Sequence, residues 1–170
     1  MSQREGQGDR VADAFARFAA SLDYSMVVVT AAADGQRSGC LVGFWTQVSI
    51  DPGRFLVCVS PANHTADVAE SADHLGVHRL STRHLGLARL FGEQTGDETD
   101  KFADCAWHEG AFGVPILDDC ESWFVGRTIE KLDFGDHRGF VLTPVAAAAD
   151  DHQKPLTMAE LPDLHPGHPA

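Results

Sequence analysis

Residues 60–65 place several hydrogen-bond donors directly before a predicted helix. The segment is Ser-Pro-Ala-Asn-His-Thr, and a helical pattern follows it over residues 65–73. The N-terminus of a helix presents unpaired N–H groups and a dipole that favours an anion. The side chains of Asn63, His64 and Thr65 can add donors. Together with Ser60 they form a candidate phosphate site, with a plain helix cap as the alternative.

A second candidate is the histidine of the Gly135-Asp136-His137 turn, which leads into the last predicted strand. Asp136 can orient the neighbouring imidazole, and an oriented imidazole can contact a ligand. A histidine on a surface turn without a chemical role is the alternative. The sequence shows no catalytic triad, no Walker loop and no HExxH pattern.

Metal and thiol chemistry have less support from the sequence. Imidazole suits zinc, copper and iron, but four histidines are divided among a predicted loop, strand and helix without an HxH pair: His64, His74, His78 and His84. The cysteines form no CxxC pair, which is typical of reduced thiols; they are Cys40, Cys58, Cys105 and Cys120. We therefore expect neither a metal site nor a disulfide.

The overall charge narrows the classes of partner. The 170-residue chain carries 13 basic and 25 acidic side chains, for a formal net charge of -12. Nucleic acid and anionic membranes both need a basic face, so neither is expected as a partner. No apolar run approaches the roughly 20 residues of a membrane helix, and residues 1–10 lack the apolar core of a signal peptide. We expect one globular domain in the cytoplasm.

The pattern of apolar residues predicts the elements that hold these candidates. Short β-branched runs predict seven strands, and spacings of three and four predict three helices. The strands cover residues 25–31, 36–44, 45–50, 54–60, 75–80, 121–132 and 137–145, and the helices cover 10–22, 65–73 and 81–91. The first four strands follow one another through short turns, which favours antiparallel pairing. We expect a mainly β fold with peripheral helices, a small split β-barrel.

The ends of the chain are expected to lie outside this barrel. Residues 1–9 are polar, which predicts a disordered N-terminus. Residues 10–147 are expected to form a single domain, and residues 148–170 a tail that contains proline and histidine. The tail is expected to be flexible or to wrap a partner subunit. The first helix carries an apolar stripe suited to packing, formed by Val11, Phe15, Phe18 and Leu22. A helical turn is expected around residues 97–102.

Four stretches, in this order and spacing, resemble the flavin reductase domain family, the FMN-binding split barrel. They are VVVTAAADGQRSG at residues 27–39, GCLVGFWTQVSIDPGRFLVCVS at 39–60, residues 61–81 ending in HLGVHRLS, and the Gly135-Asp136-His137 turn. The resemblance runs over about residues 23–146. It implies a homodimer with flavin at or near the interface.

The resemblance also implies roles for particular residues. Cofactor binding is implied for Gly39, Cys40, Leu41, Val42, Gly43, Phe44, Trp45, Thr46, Ser60, Asn63, His64 and Thr65, with barrel core as the alternative for Phe44 and Trp45. Arg83 and Arg89 cluster with Arg79 in an otherwise acidic chain and can offset the phosphate charge of the flavin or the nicotinamide cofactor, with a solvated helix face as the alternative. The catalytic positions are His137 and Asp136, where the imidazole would contact the nicotinamide or steer the hydride donor. At several positions where the family usually has hydroxyl or amide side chains, this chain has Leu41, Gly43 and Phe44, which implies fewer hydrogen bonds to the ribityl chain. His78 stands where the family tends to have Asn.

The implied activity is an NAD(P)H-dependent flavin reductase, with hydride transfer from the nicotinamide to flavin N5. The implied cofactors are FMN or FAD, with NADH or NADPH as donor, and the reduced flavin would supply a monooxygenase partner. The alternative is a non-catalytic FMN-binding or flavin-carrier protein. In either case the pocket must be locally basic or lined by amides, because the ligands are anions and the chain is acidic.

Overall fold

The computed structural model describes residues 2–96, 99–150, 152–165 and 167, with side chains from residue 7 onward. Within this part, three α-helices and nine β-strands form. The helices are α1 (Ser2–Ala20), α2 (His64–Ser71) and α3 (Leu85–Glu93). The strands are β1 (Val27–Ala33), β2 (Gln36–Val42), β3 (Trp45–Ser49), β4 (Arg54–Val59), β5 (His74–Arg79), β6 (Trp107–Glu109), β7 (Pro115–Leu117), β8 (Trp123–Asp133) and β9 (Arg138–Ala148).

Seven of the strands form one curled antiparallel sheet in the order β2-β1-β5-β8-β9-β4-β3. The two edge strands, β2 and β3, are joined by only two residues, Gly43 and Phe44. Such a short connection brings the two edges together at one corner, so the sheet must curl into a split barrel. The predicted fold class is confirmed, and all seven strands of this sheet match predicted strands to within a few residues.

Two apolar clusters lie on the two faces of this sheet. Inward-facing residues of β1, such as Val27 and Val29, pack with α2 and with Phe140 of β9 inside the barrel. Val28, which faces the opposite way, packs with α3 and with residues of the β6–β7 region. A strand buried on both faces gives an unbroken apolar run, which is the pattern that predicted β1.

Strands β6 and β7 pair with each other in a separate two-stranded sheet, and the sequence pattern did not predict them. Each is only three residues long, which is too short to show a period. The helical turn expected around residues 97–102 is a 3-10 helix over Lys101–Ala103. Residues 97 and 98 lie outside the described residues.

Helix α1 begins at Ser2, so helix replaces the disordered segment expected for residues 2–9; Met1 lies outside the described residues. No proline interrupts this segment, and the backbone hydrogen bonds of a helix do not require an apolar face.

The apolar stripe of α1 is exposed within the chain: Val11 is 64%, Phe15 68%, Phe18 62% and Leu22 53% exposed. No described helix is both long and apolar enough to cross a bilayer.

Residues 154–165, which we call the C-terminal strap, pack across their own barrel. The N–H of Met26 donates to the carbonyl of Leu156 (2.8 Å), and the N–H of Leu156 donates to the carbonyl of Leu80 (2.9 Å). Leu156 is fully buried and Leu161 is 2% exposed. These two apolar anchors hold the segment, which differs from the flexible or partner-wrapping tail expected from its prolines. Residues 151, 166 and 168–170 of that tail lie outside the described residues.

His78 is fully buried on β5 and is held as the neutral imidazole. The N–H of Leu117 donates to its Nε2 (3.1 Å), so the ring hydrogen lies on Nδ1, which donates to the carbonyl of Val28 (3.2 Å). Burial lowers the pKa of His78 from 6.5 to about 4. Protonation would place a hydrogen on Nε2 against the N–H of Leu117.

We therefore expect His78 to make the fold sensitive to acid. The unfolded chain takes up a proton on this side chain below about pH 6.5 and the folded chain only near pH 4, so its contribution is complete above pH 6.5 and is lost as the pH falls towards 4. The lost free energy of unfolding is about 3 kcal/mol. In His78→Asn, whose amide does not titrate in this range and can still donate to the carbonyl of Val28, urea unfolding between pH 7 and 4 should lose correspondingly less stability. Equal losses in the two proteins would contradict this role.

Candidate functional site

A cavity of about 220 Å³ lies beside the corner where β2 meets β3, and we call it the corner cavity. It is lined by the end of β2, the Gly43–Phe44 connection, the end of β4, the loop after β4, and the strap. The lining residues are Tyr24, Met26, Cys40, Leu41, Val42, Gly43, Phe44, Cys58, Val59, Ser60, Asn63, Gly92, His137, Met158 and Leu164. A mostly apolar concave surface with a few polar groups is typical of small-molecule sites.

The corner cavity gathers eight of the residues implied for cofactor binding or catalysis, from three distant parts of the chain. They are Cys40, Leu41, Val42, Gly43, Phe44, Ser60, Asn63 and His137. The thiols in this lining are not activated. Burial raises the pKa of Cys40 to about 11 and also raises the pKa of Cys58. All four cysteines are free.

His137 stands at the edge of the corner cavity, just before β9. Its Nδ1 lies 3.0 Å from Oδ1 of Asp136, and its side chain is 20% exposed, against 79% for Asp136. The hydrogen bond to His137 lowers the pKa of the Asp136 carboxyl. Asp136 therefore orients the imidazole from the solvent side without entering the cavity.

The donors of residues 60–65 are largely used within the protein. Asn63 caps α2, because its Oδ1 accepts from the N–H of Thr65 (2.9 Å). The N–H of Asn63 itself donates to the carbonyl of Ser60 (3.0 Å). Thr65 is fully buried, and its hydroxyl lies 2.9 Å from that of Ser38. The helix-cap interpretation is confirmed for Asn63, and Thr65 fixes α2 to β2 from the interior.

A second cavity of about 380 Å³, the polar cavity, lies next to the first. Its lining includes Gly39, His64, Arg37, Lys101 and Asp100. Arg37 pairs with Asp100 at 2.8 Å. Lys101 is only 3% exposed, and its Nζ donates to the carbonyls of Gly39 (3.1 Å) and Phe91 (3.3 Å).

Sequence reasoning named neither Arg37 nor Lys101 as a site residue. Burial lowers the pKa of Lys101, as expected for a desolvated ammonium group. One signal was available, since Lys101 is the only basic residue between positions 93 and 110, among six carboxylates. A single cation kept in such a segment suggests an interior partner, which the carbonyls of Gly39 and Phe91 provide.

Five residues implied for cofactor binding lie outside both cavities, namely the buried Thr65 and four others. Trp45 points the other way: its indole N–H donates to the carbonyl of Ser25 (2.7 Å). Thr46 is exposed on the edge strand β3. The two arginines form ion pairs with carboxylates, Arg83 with Glu121 (2.5 Å) and Arg89 with Glu93 (3.2 Å).

The four histidines considered for a metal site serve separate purposes. His64 lines the polar cavity, His74 stacks on Phe112, His78 is a buried structural residue, and His84 accepts from the N–H of Ser81 (3.0 Å). Among the residues that the structure describes, no group of three or more metal-ligating side chains occurs.

The model of the family described as "Flavin reductase like domain" matches residues 19–161. The chain is 30% identical over 125 residues to a "Probable flavin reductase" of Rhizobium meliloti, covering 74% of this chain and 38% of that protein. It is 30% identical over 118 residues to "FMN reductase (NADH) RutF" of Bradyrhizobium diazoefficiens, and the match covers 69% of this chain and 65% of that protein. A 4-nitrophenol monooxygenase reductase component of Rhodococcus opacus is 32% identical, covering 73% and 65%. The chain thus spans less than two thirds of each of these curated relatives.

Two solved structures share the fold. A flavin reductase domain protein from Arthrobacter sp. FB24 superposes with a TM-score of 0.79 at 21% identity, covering 88% of this chain and 91% of that one. An FMN-binding protein from Thermus thermophilus superposes with a TM-score of 0.72 at 26% identity, and the match covers 78% of this chain and 75% of that one.

The shape of the corner cavity depends on the absence of a side chain at position 43. A Cβ added to Gly43 would lie 2.6 Å from Cε2 of Tyr24, so Gly43→Ala should displace the Tyr24 ring and cost about 1 kcal/mol of stability. Tyr24 is the only tyrosine of the chain, so the NMR signals of labelled tyrosine report on it alone.

The matched control is Gly86→Ala in α3, where a Cβ meets nothing within 4 Å. This substitution should leave the tyrosine signals in place and, if anything, stabilise the helix. Tyrosine signals that are unchanged in Gly43→Ala would show that Tyr24 does not pack on position 43.

Proposed function

The chain belongs to the family of flavin reductase like domains, and from that premise we propose that it is an NAD(P)H-dependent flavin reductase. The reaction would transfer a hydride from the nicotinamide to N5 of the flavin. We propose FMN as the flavin and NADH as the hydride donor. The observation that carries the proposal is the corner cavity, where the closing corner of the barrel and His137 meet around an apolar space.

The lining of the corner cavity fits a flavin ring. The isoalloxazine ring is planar and largely apolar, and when bound it supplies the hydride-accepting chemistry of the reaction. Gly43 brings bare backbone to the cavity surface, and Leu41, Phe44 and Leu164 add apolar contacts. With neutral thiols and no carboxylate in the lining, the chain supplies binding and orientation rather than a strong acid or base.

The phosphate end of the flavin fits the polar cavity. The two cavities are lined by neighbouring residues at two places in the chain. Gly39 and His64 line the polar cavity, and the adjacent residues Cys40 and Asn63 line the corner cavity. Lys101 brings positive charge to that side of an acidic protein, and its Nζ is held by carbonyls rather than by a carboxylate. Arg37 is already paired with Asp100 (2.8 Å), so a flavin with its ring in the corner cavity would extend its phosphate mainly towards Lys101.

His137 is the residue we assign to the nicotinamide. It lies at the cavity edge, is partly exposed, and is oriented through Nδ1 by Asp136. Such an imidazole can contact the carboxamide of the donor and hold its ring against the flavin. Arg83 and Arg89, by their ion pairs, belong to the surface rather than to this site.

The test is the visible spectrum of the purified protein with added FMN, before and after NADH is supplied without oxygen. Loss of the yellow colour, at a rate above that of free FMN with NADH, supports the reductase. A protein that binds FMN but never accelerates its reduction is the flavin carrier, and the proposal is then wrong.

A histidine that positions the hydride donor should affect turnover more than flavin binding. We expect His137→Gln to lower kcat/KM for NADH about tenfold or more, and to change the dissociation constant of FMN by less than about threefold. His108→Gln is the control, because His108 forms the same kind of pair with Asp118 (2.5 Å) away from both cavities. Equal effects of the two variants would remove His137 from the site.

We also propose that the protein is a homodimer that supplies a monooxygenase. The support for a dimer is α1, whose apolar stripe has no cover within the described part of its own chain, and an isolated amphipathic helix is marginal in water. The support for the oxygenase is that two relatives are reductase components of monooxygenases.

Light scattering tests the dimer. The wild-type protein should have twice the chain mass at micromolar concentration, and Phe15→Asp should reduce it to the chain mass by placing a charge in the stripe. Ala16→Asp adds the same charge outside the stripe, about 100° around the helix from Phe15, and should remain dimeric. A monomeric wild type contradicts the proposal.

A further inference from the structure

The corner cavity offers few side-chain donors to a bound flavin. Positions 41 and 43 are Leu41 and Gly43, neither of which carries a polar group. The Ser60 hydroxyl accepts from the N–H of Ala62 (3.3 Å), and the Asn63 carbonyl oxygen is used as the helix cap. Most of the lining is apolar, so contact with apolar and aromatic side chains is what the cavity offers most widely to a ring.

Phe44 is the large aromatic side chain that the barrel corner leaves uncovered. It is 53% exposed, although its backbone is fixed because the N–H of Cys58 donates to its carbonyl (2.8 Å). The next residue, Trp45, is fixed by its bond to Ser25 and by stacking on Phe55 (5.3 Å between ring centroids). The backbone of Phe44 is thus held at a defined place on the cavity wall, from which the side chain projects.

The Phe44 ring already has two other rings as neighbours. Its centroid lies 4.8 Å from that of His137, with 52° between the planes, and 6.4 Å from that of Tyr24. All three side chains line the corner cavity. A supported aromatic ring with a large exposed fraction can stack a second planar ring.

We propose that Phe44, supported by His137 and Tyr24, is the platform that positions the isoalloxazine ring in this protein. The inference rests on the proposed flavin function and assigns to one residue the contact that selects the ring. Stacking reads only the ring, which riboflavin and FMN share. Loss of the platform must therefore weaken both flavins by the same factor, whatever the polar cavity adds for the phosphate.

The test is the dissociation constant of riboflavin and of FMN, measured by quenching of flavin fluorescence. Phe44→Ala should weaken both by about three- to tenfold, the range of an aromatic pair. Phe44→Tyr keeps the ring and should bind both flavins as the wild type does. Phe44→Leu keeps an apolar side chain without a ring and should resemble Phe44→Ala.

The matched control is Phe112→Ala. Phe112 is also exposed, at 68%, and also stacks on a histidine, His74, at 4.0 Å between centroids, but it lines neither of the two cavities. Flavin binding should be unchanged in this variant. A loss equal to that of Phe44→Ala would show that removing any exposed phenylalanine weakens binding, and would overturn the proposal.

Three further results overturn the platform while leaving the proposed function intact. They are a wild type that binds flavin with no change in Phe44→Ala, a Phe44→Leu that binds as the wild type does, and a loss confined to FMN. A wild-type protein that binds neither riboflavin nor FMN is a different outcome, because it removes the flavin function and the platform with it.

Discussion

The two-residue link between β2 and β3 is the constraint on which the rest of the structure depends. These strands are the opposite edges of a seven-stranded sheet, and only Gly43 and Phe44 separate them along the chain. The sheet has to curl until its edges meet, which creates both the interior that Val27, Val29 and Phe140 fill and the corner beside which the candidate site lies. Fold and site are thus consequences of the same link.

The charge of the protein becomes compatible with an anionic ligand through its distribution. The net charge is -12, yet Arg37 and Lys101 line the polar cavity beside the corner. Asp100 is the one carboxylate among the described residues that line the two cavities. Lys101 is held by carbonyls of β2 and α3 rather than by a carboxylate, so its charge is not cancelled locally. Buried in this way, it can act on an anion more strongly than an exposed lysine would.

Most of the fold can be predicted from the sequence, because the strands have recognisable patterns of apolar residues. The site can be predicted only in part, because contacts between residues that are distant in the chain produce no such pattern. Residues 41–44 and His137 line one cavity, and the resemblance rather than their spacing is what groups them as candidates. Arg83 was misplaced, because a cluster of arginines in sequence does not reveal that Glu121 faces one of them. The strap was misjudged from its prolines, although Leu156 and Leu161 were the residues that decided its packing.

The same corner determines which side chains positions 43 and 44 can carry. Gly43 has no room for a side chain, since Tyr24 occupies the space where a Cβ would lie; a polar side chain at position 43 is therefore incompatible with Tyr24 in its present place. Tyr24 and His137 in turn give Phe44 two aromatic neighbours. Because bare backbone and a ring form this wall of the corner cavity, a ligand there meets backbone groups and an aromatic surface rather than polar side chains of positions 43 and 44.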